Sequence, residues 1–422
     1  MMSNRSRDDF DRLMTSWMDA DSHVPEPEGL LERTLERTRG ARRRPRWLVP
    51  DWWFPMQNTA RLQSVWRPAP SLIALVALLI VLALIAVAIG GSHRRVPAPF
   101  GPAANGSIVY DANGTIQVVN QAGTGVRTLV TSIPNPSGPQ FSPDGTQLAF
   151  WGDNAPDSLY VADSDGRNVR RIATGLWITT DRPPQWSPDS RSIVTSTDSG
   201  PDREDDHVVV VDVATGATVT IDRTVAGDAR LFVPSWSPDG RWIAFVAMNR
   251  ASQAFRLWVA RPDRSVIREV PTGDLTPTAV QPRWMPSADR HVLAYDTVTT
   301  GPRAVAAFFD LDTEIEQRVD GPASEDGVWP AWSPDGTQLA WLGGPKPESI
   351  VLAAVAGTSA TKVVPGAGMG GPIAWSPDGS RIYGTATADT ELVIVTIDGS
   401  TPPVRLPHTY GHGLPDWQRL AP

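Results

Sequence analysis

Cysteine is absent from all 422 residues. That excludes disulfides, thiolate nucleophiles and cysteine-bound zinc, and it leaves the redox compartment open. Lysine is nearly absent too: only Lys346 and Lys362 occur, and every other basic side chain except histidine is arginine. Short catalytic signatures are missing. There is no G-x-S-x-G elbow, no H-E-x-x-H pair and no phosphate-binding loop, so no catalytic residue, cofactor or metal is expected.

The charge is unevenly spread. Residues 1–95 carry a net of +4, with 14 basic against 10 acidic side chains, and the rest of the chain carries −12. An acidic main domain argues against nucleic acid as a partner, because phosphate binding needs a basic surface.

One hydrophobic run stands out. Ser71 to Gly90 reads SLIALVALLIVLALIAVAIG, twenty residues without a charge. As a helix this run is roughly 30 Å long, matching the hydrocarbon core of a bilayer. Nine arginines lie between Arg33 and Arg67, against Arg94 and Arg95 just downstream. The positive-inside rule therefore predicts a single span with the N-terminus cytoplasmic and residues 96–422 outside. Trp47, Trp52, Trp53, Phe54 and Trp66 suit the headgroup region upstream of the span, the other reading being that Trp52 and Trp53 pack in a small folded head.

Ahead of the span, Phe10, Leu13, Met14, Trp17 and Met18 follow helical spacing on one face. A second short helix is expected from Glu28 to Arg39, with Pro25 and Pro27 breaking the chain between the two. Two such helices are too small to bury their apolar faces alone, so Phe10, Leu13 and Trp17 are candidate partner-binding residues. The other reading is a disordered tail.

Beyond the span the chain repeats. The phrase aromatic-Ser-Pro-Asp-Gly, then an aliphatic-Ala-aromatic triplet, starts at Phe141, Trp236 and Trp332, and the near copies WSPDSRSIVT and WSPDGSRIYG start at Trp186 and Trp375. A degenerate copy, WMPSADRHVLAY, starts at Trp284. The intervals are 45, 50, 48, 48 and 43 residues, the length of one four-stranded propeller blade. Pro presets the first central position of a type I turn, Asp bonds nearby amides, and Gly accepts the exit conformation. Asp144, Asp189, Asp239, Asp335 and Asp378 are therefore expected to be turn-forming residues. Three strands at Ser107, Thr115 and Val126 precede the first full repeat and lack a first strand. LPDWQRL, from Leu414, is a first strand without a blade, with Trp417 in the anchor position. Pairing the two closes a seven-bladed ring and removes its exposed sheet edges.

These repeats resemble the TolB-type, WD-repeat-like propeller repeats of bacterial periplasmic proteins and of prolyl-oligopeptidase-like enzymes. The resemblance covers about residues 105–420 and implies an interaction scaffold at the cell envelope. The chain departs from the six-bladed TolB pattern by its seventh blade, and it lacks TolB's preceding soluble domain. The head is loosely similar to that of membrane-bound anti-sigma factors, without their His-and-Cys zinc motif. That resemblance implies a sigma factor as the cytoplasmic partner.

The expected organisation is an all-β, seven-bladed β-propeller ectodomain after one transmembrane helix and a short helical head. The head occupies 1–70, the span 71–90, a linker 91–104 and the propeller 105–422. Two lesser motifs are read as loops rather than ion sites: His408 with His412, and the acidic run from Asp202 to Asp206. The leading reading is a non-enzymatic, membrane-tethered propeller that takes a protein or envelope ligand at its mouth. The alternative is a hydrolase or lyase with its site in the central funnel, where one side chain per blade leaves no local motif.

Overall fold

The computed structural model describes residues 98–421, apart from 154–156, 177–182, 198–206, 274–275, 279–280, 299–303, 320–327, 345–348, 356–360, 366–367, 387–390 and 408–414. The head, including Phe10, Leu13 and Trp17, and the 71–90 run lie outside the described residues, as do His408, His412 and the 202–206 acidic run. Among the described residues no helix is long and apolar enough to cross a membrane.

The described strands form seven antiparallel sheets. Blade 1 is composite: Ala104–Ala112, Thr115–Val119 and Arg127–Val130 are completed by Asp416–Leu420 from the far end of the chain. The pairing register sets Trp417 opposite Ile108 and Asp416 opposite Val109. Blades 2, 3 and 4 start at Ser137–Phe141, Gln185–Trp186 and Ala229–Trp236. Blade 5 has its innermost strand in two pieces, Thr276–Pro277 and Arg283–Trp284, both paired with Val292–Val298. Blades 6 and 7 start at Ala331–Trp332 and Met369–Trp375.

Hydrophobic cores sit between blades rather than within them. Seven clusters occur, one for each neighbouring pair. The cluster that closes the circle joins Tyr383, Leu392, Ile394 and Leu406 of blade 7 to Ile108, Tyr110, Val119 and Trp417 of blade 1. Each fully buried aliphatic or aromatic side chain contributes about 1.5–3 kcal/mol, so a blade stripped of one neighbour loses much of its stabilisation. Strand sequences suit this two-sided burial. Val208–Asp212 reads VVVVD, with all four valines buried between facing sheets.

The turns explain the repeated motif. In blade 4, Asp239 Oδ1 accepts from the Ser237 hydroxyl at 2.6 Å and from the Arg241 amide at 3.0 Å. The Ser237 hydroxyl in turn accepts the Trp242 amide at 2.9 Å. The same triad of bonds recurs around Asp189, Asp335 and Asp378, and Asp144 makes it with Ser142 and Thr146. The Asp and Ser side chains thus take up backbone amides that the tight turn would otherwise leave unpaired.

Candidate functional site

The innermost strand of each blade faces the ring axis, and six of the seven carry proline two residues before the anchor: Pro139, Pro184, Pro234, Pro282, Pro330 and Pro415. A strand at the channel edge has no neighbour on one side, so the missing proline N–H leaves no ladder bond unmade. The residue after each proline, or its blade 7 equivalent, is Gln140, Gln185, Ser235, Arg283, Ala331, Ala374 or Asp416. Mostly small or neutral, this position carries one cation and one acid around the ring.

Gln140, Gln185, Arg283, Ala374 and Asp416 line an axial cavity of about 220 Å³. Val233 and Trp329 line it too, from the position three before the anchors of blades 4 and 6. Both adopt left-handed backbone conformations, with φ of 45° and 48°. For a β-branched valine this is a strained conformation, and it accompanies a β-bulge between Phe232 and Ser235. Strain of this kind concentrates at functional sites.

The indole N–H groups tie blade to blade. Trp186 donates to the Gln140 carbonyl at 3.0 Å, Trp284 to Ser235 at 3.1 Å, Trp332 to Arg283 at 2.9 Å and Trp375 to Ala331 at 3.0 Å. Each carbonyl belongs to the residue before the preceding blade's anchor. Phe141 has no ring donor; its backbone N–H instead donates to Asp416 Oδ2 at 2.7 Å, joining blade 2 to blade 1.

Three ionisable groups give the cavity its electrostatics. Asp416 is pushed up to about 7 by burial, against the opposing effects of the Phe141 and Trp417 amides and Arg419. Tyr383, buried in the wall, is raised by burial and by the Asp416 charge. Arg283 keeps some accessible surface toward the channel, while protein encloses it elsewhere, and burial lowers its guanidinium from the ordinary value. Among the described residues its side chain makes no hydrogen bond or ion pair. The indole N–H of Trp329 is also buried and donates to no described acceptor. Among the described residues no group of three or more His, Cys, Asp or Glu side chains is arranged to hold a metal ion.

The five motif aspartates stand at the blade turns, each in its own turn, and are not brought together into one site. The axial residues Arg283, Trp329, Tyr383 and Asp416 were missed in the sequence. For Arg283 and Asp416 the signal was present as Pro-X-aromatic recurring at blade period, with X charged in only these two copies, whereas Trp329 and Tyr383 lie outside that motif.

The family profile described as TolB beta propeller domain (PD40) matches residues 108–325, just over half of the chain. The chain belongs to the TolB β-propeller family. An uncharacterized protein of Agrobacterium fabrum is 29% identical over 223 residues, covering 48% of this chain and 68% of that protein. Among solved structures, Kuenenia stuttgartiensis hydrazine synthase superposes with a TM-score of 0.54 at 16% identity, covering 72% of this chain and 98% of that one. Oligogalacturonate lyase from Vibrio parahaemolyticus gives 0.53 at 15% identity, covering 71% and 91%. At those identities the likeness is one of fold. This TolB-type propeller carries its family repeat through blades 1 to 5, and blades 6 and 7 continue the same architecture beyond the matched residues.

Proposed function

We propose that the propeller is the extracytoplasmic binding or sensing module of a membrane-tethered, non-catalytic protein. It takes a protein or envelope ligand at one mouth of its axial channel. The carrying observation is the closed ring of seven blades around a channel whose wall bears strained, inward-facing Val233 and Trp329. Closure leaves the mouths as the places where loops from all seven blades gather, the position from which propellers bind partners. Tethering rests on the uncharged 71–90 run, and orientation on the arginines before it. The head, through Phe10, Leu13 and Trp17, holds a cytoplasmic regulator of the sigma-factor class. A single span can signal by changing association or releasing such a partner.

A hydrolase or lyase is favoured by one observation: an acid held near neutrality, Asp416, shares a cavity wall with Arg283 and Tyr383. Affinity capture from membranes separates the readings. Residues 1–70 and residues 96–422, each used as bait, should retain different specific proteins, and serine at positions 10, 13 and 17 together should abolish capture by the head alone. A reporter fused after Pro422 that is active in the cytoplasm would overturn the topology.

A further inference from the structure

We infer that the axial channel binds a small organic carboxylate, held by the Arg283 guanidinium and the Trp329 indole N–H. The inference deepens the binding-module reading by giving that module a ligand class inside the channel rather than at its mouth.

Arg283 and Trp329, from adjacent blades, both line one cavity, and neither the guanidinium nor the buried indole N–H has an acceptor among the described residues. A partly enclosed cation without a counter-charge is costly, and buried donors such as the Trp329 indole N–H are in folded proteins nearly all satisfied. The acid that shares the wall is already engaged: Asp416 accepts the Phe141 amide at 2.7 Å and lies beside Arg419. Tyr383, the remaining ionisable neighbour, carries no negative charge at neutral pH to offset the guanidinium. An anionic oxygen group from outside the chain completes the set. Guanidinium presents a planar fork of donors that matches a carboxylate, and a charge-assisted bond from the indole adds to it.

The rest of the wall selects the body of the ligand. Val233, Pro234, Pro330 and Ile373 offer apolar surface, and Gln185 and Gln281 each spend an amide N–H on a proline carbonyl, at 3.3 and 2.9 Å. A cavity of about 220 Å³ with this lining suits a short organic acid better than a bare inorganic ion.

Thermal melting of the full chain in detergent micelles tests the inference, with 20 mM acetate or succinate compared against chloride at matched ionic strength and against phosphate. A carboxylate with a half-saturating concentration near 0.2 mM raises the melting temperature by about 3–6 °C. In Arg283→Met that response disappears, and the melting temperature in chloride does not fall, because a partly enclosed charge without a counter-charge has been removed. In Trp329→Phe, which keeps the ring and loses the donor, the half-saturating concentration rises about tenfold. Equal shifts in acetate, succinate and chloride overturn the inference, as does a shift in phosphate alone. If Arg283→Met fails to fold, an unchanged half-saturating concentration in Trp329→Phe overturns it. Because the melts use purified protein and defined salts, their failure leaves the capture of partners at the mouth, and hence the broader function, standing.

Discussion

His291 donates from Nε2 to Oδ2 of Asp239, 2.9 Å away and 52 residues earlier in the chain, bolting blade 5 to blade 4. Its Nδ1 lies 2.8 Å from Oδ1 of Asp312, so the ring is held between two carboxylates with its edge against Trp284. Asp239 serves both blades, with Oδ1 closing its own turn and Oδ2 receiving the imidazole. Burial opposes the charged ring, yet the hydrogen bonds to Asp239 and Asp312 raise His291 above its ordinary value.

That contribution is fully present below the unfolded value of about 6.5 and is lost as pH rises through the higher folded one. His291→Gln should therefore cost about 1–3 kcal/mol near pH 6, where both carboxylates are ionised. Melting curves of both proteins from pH 5.5 to 9 should show the gap narrowing toward the alkaline end. A constant gap would assign His291 a packing role only.

The seam of the ring makes a sharper test of closure. Gly145 has φ of 70°, and a Cβ there would stand 2.5 Å from the Arg419 carbonyl oxygen of the returning strand. Gly114, with the same φ, has nothing within 4 Å. Gly114→Ala should cost only the left-handed strain, about 1–2 kcal/mol, whereas Gly145→Ala must also displace Asp416–Leu420. Chemical denaturation should rank the second well below the first. Ending the chain at 409 should lower the melting temperature of the whole propeller by about 10 °C or more, since Ile108, Tyr110 and Tyr383 all lose Trp417.

Much of this architecture was legible because the blade is a local object. Each Ser-Pro-Asp-Gly turn fixes its own hairpin, so a period near 48 and the orphan strand at Trp417 suffice to count seven blades and close them. The degenerate copy at Trp284 was legible as a blade, but the device that replaces its lost turn was not. His291 reaches a carboxylate 52 residues away, and no spacing in one chain announces a contact between neighbouring blades. The axial site was hidden for the same reason. Arg283, Trp329 and Asp416 come from three blades and meet only because the ring closes. Tyr383 was hidden by its context: it stands in blade 7 where Ala149, Ala244, Ala294 and Ala340 stand in other blades.

Asp416 makes the pH response of the seam predictable. Its folded value, about 7, lies above the unfolded value, so the folded state binds more protons between about pH 4 and 7. Stability from this group accordingly falls as pH rises across that window. Asp111 adds the same sign, raised to about 7 by burial although the Gly138 amide of blade 2 opposes the shift. Asp416→Asn keeps an oxygen for the Phe141 amide and removes the titration. It should match the original protein near pH 4.5 and exceed it by about 1–3 kcal/mol at pH 8, as read by denaturant midpoints. A variant less stable at both values would show that the ionised carboxylate is needed at the seam.

The indole latches allow a comparison within one molecule. Trp332 donates to the Arg283 carbonyl at 2.9 Å, whereas the equivalent nitrogen of Trp236 is buried and donates to no described acceptor. Replacement by phenylalanine removes the nitrogen and the fused ring at both positions, so the loss of packing is common to the pair. At Trp332 it also strands a part-buried carbonyl, which adds about 1–2 kcal/mol. At Trp236 it relieves an unsatisfied donor, which offsets part of the packing loss. Trp332→Phe should therefore be the more destabilising by at least about 1 kcal/mol in denaturant titrations. It should also loosen Arg283, whose carbonyl is the acceptor, and so weaken any response of the channel to carboxylates. Trp236→Phe should leave that response unchanged, because the carbonyl of Arg283 takes its bond from blade 6 and not from blade 4.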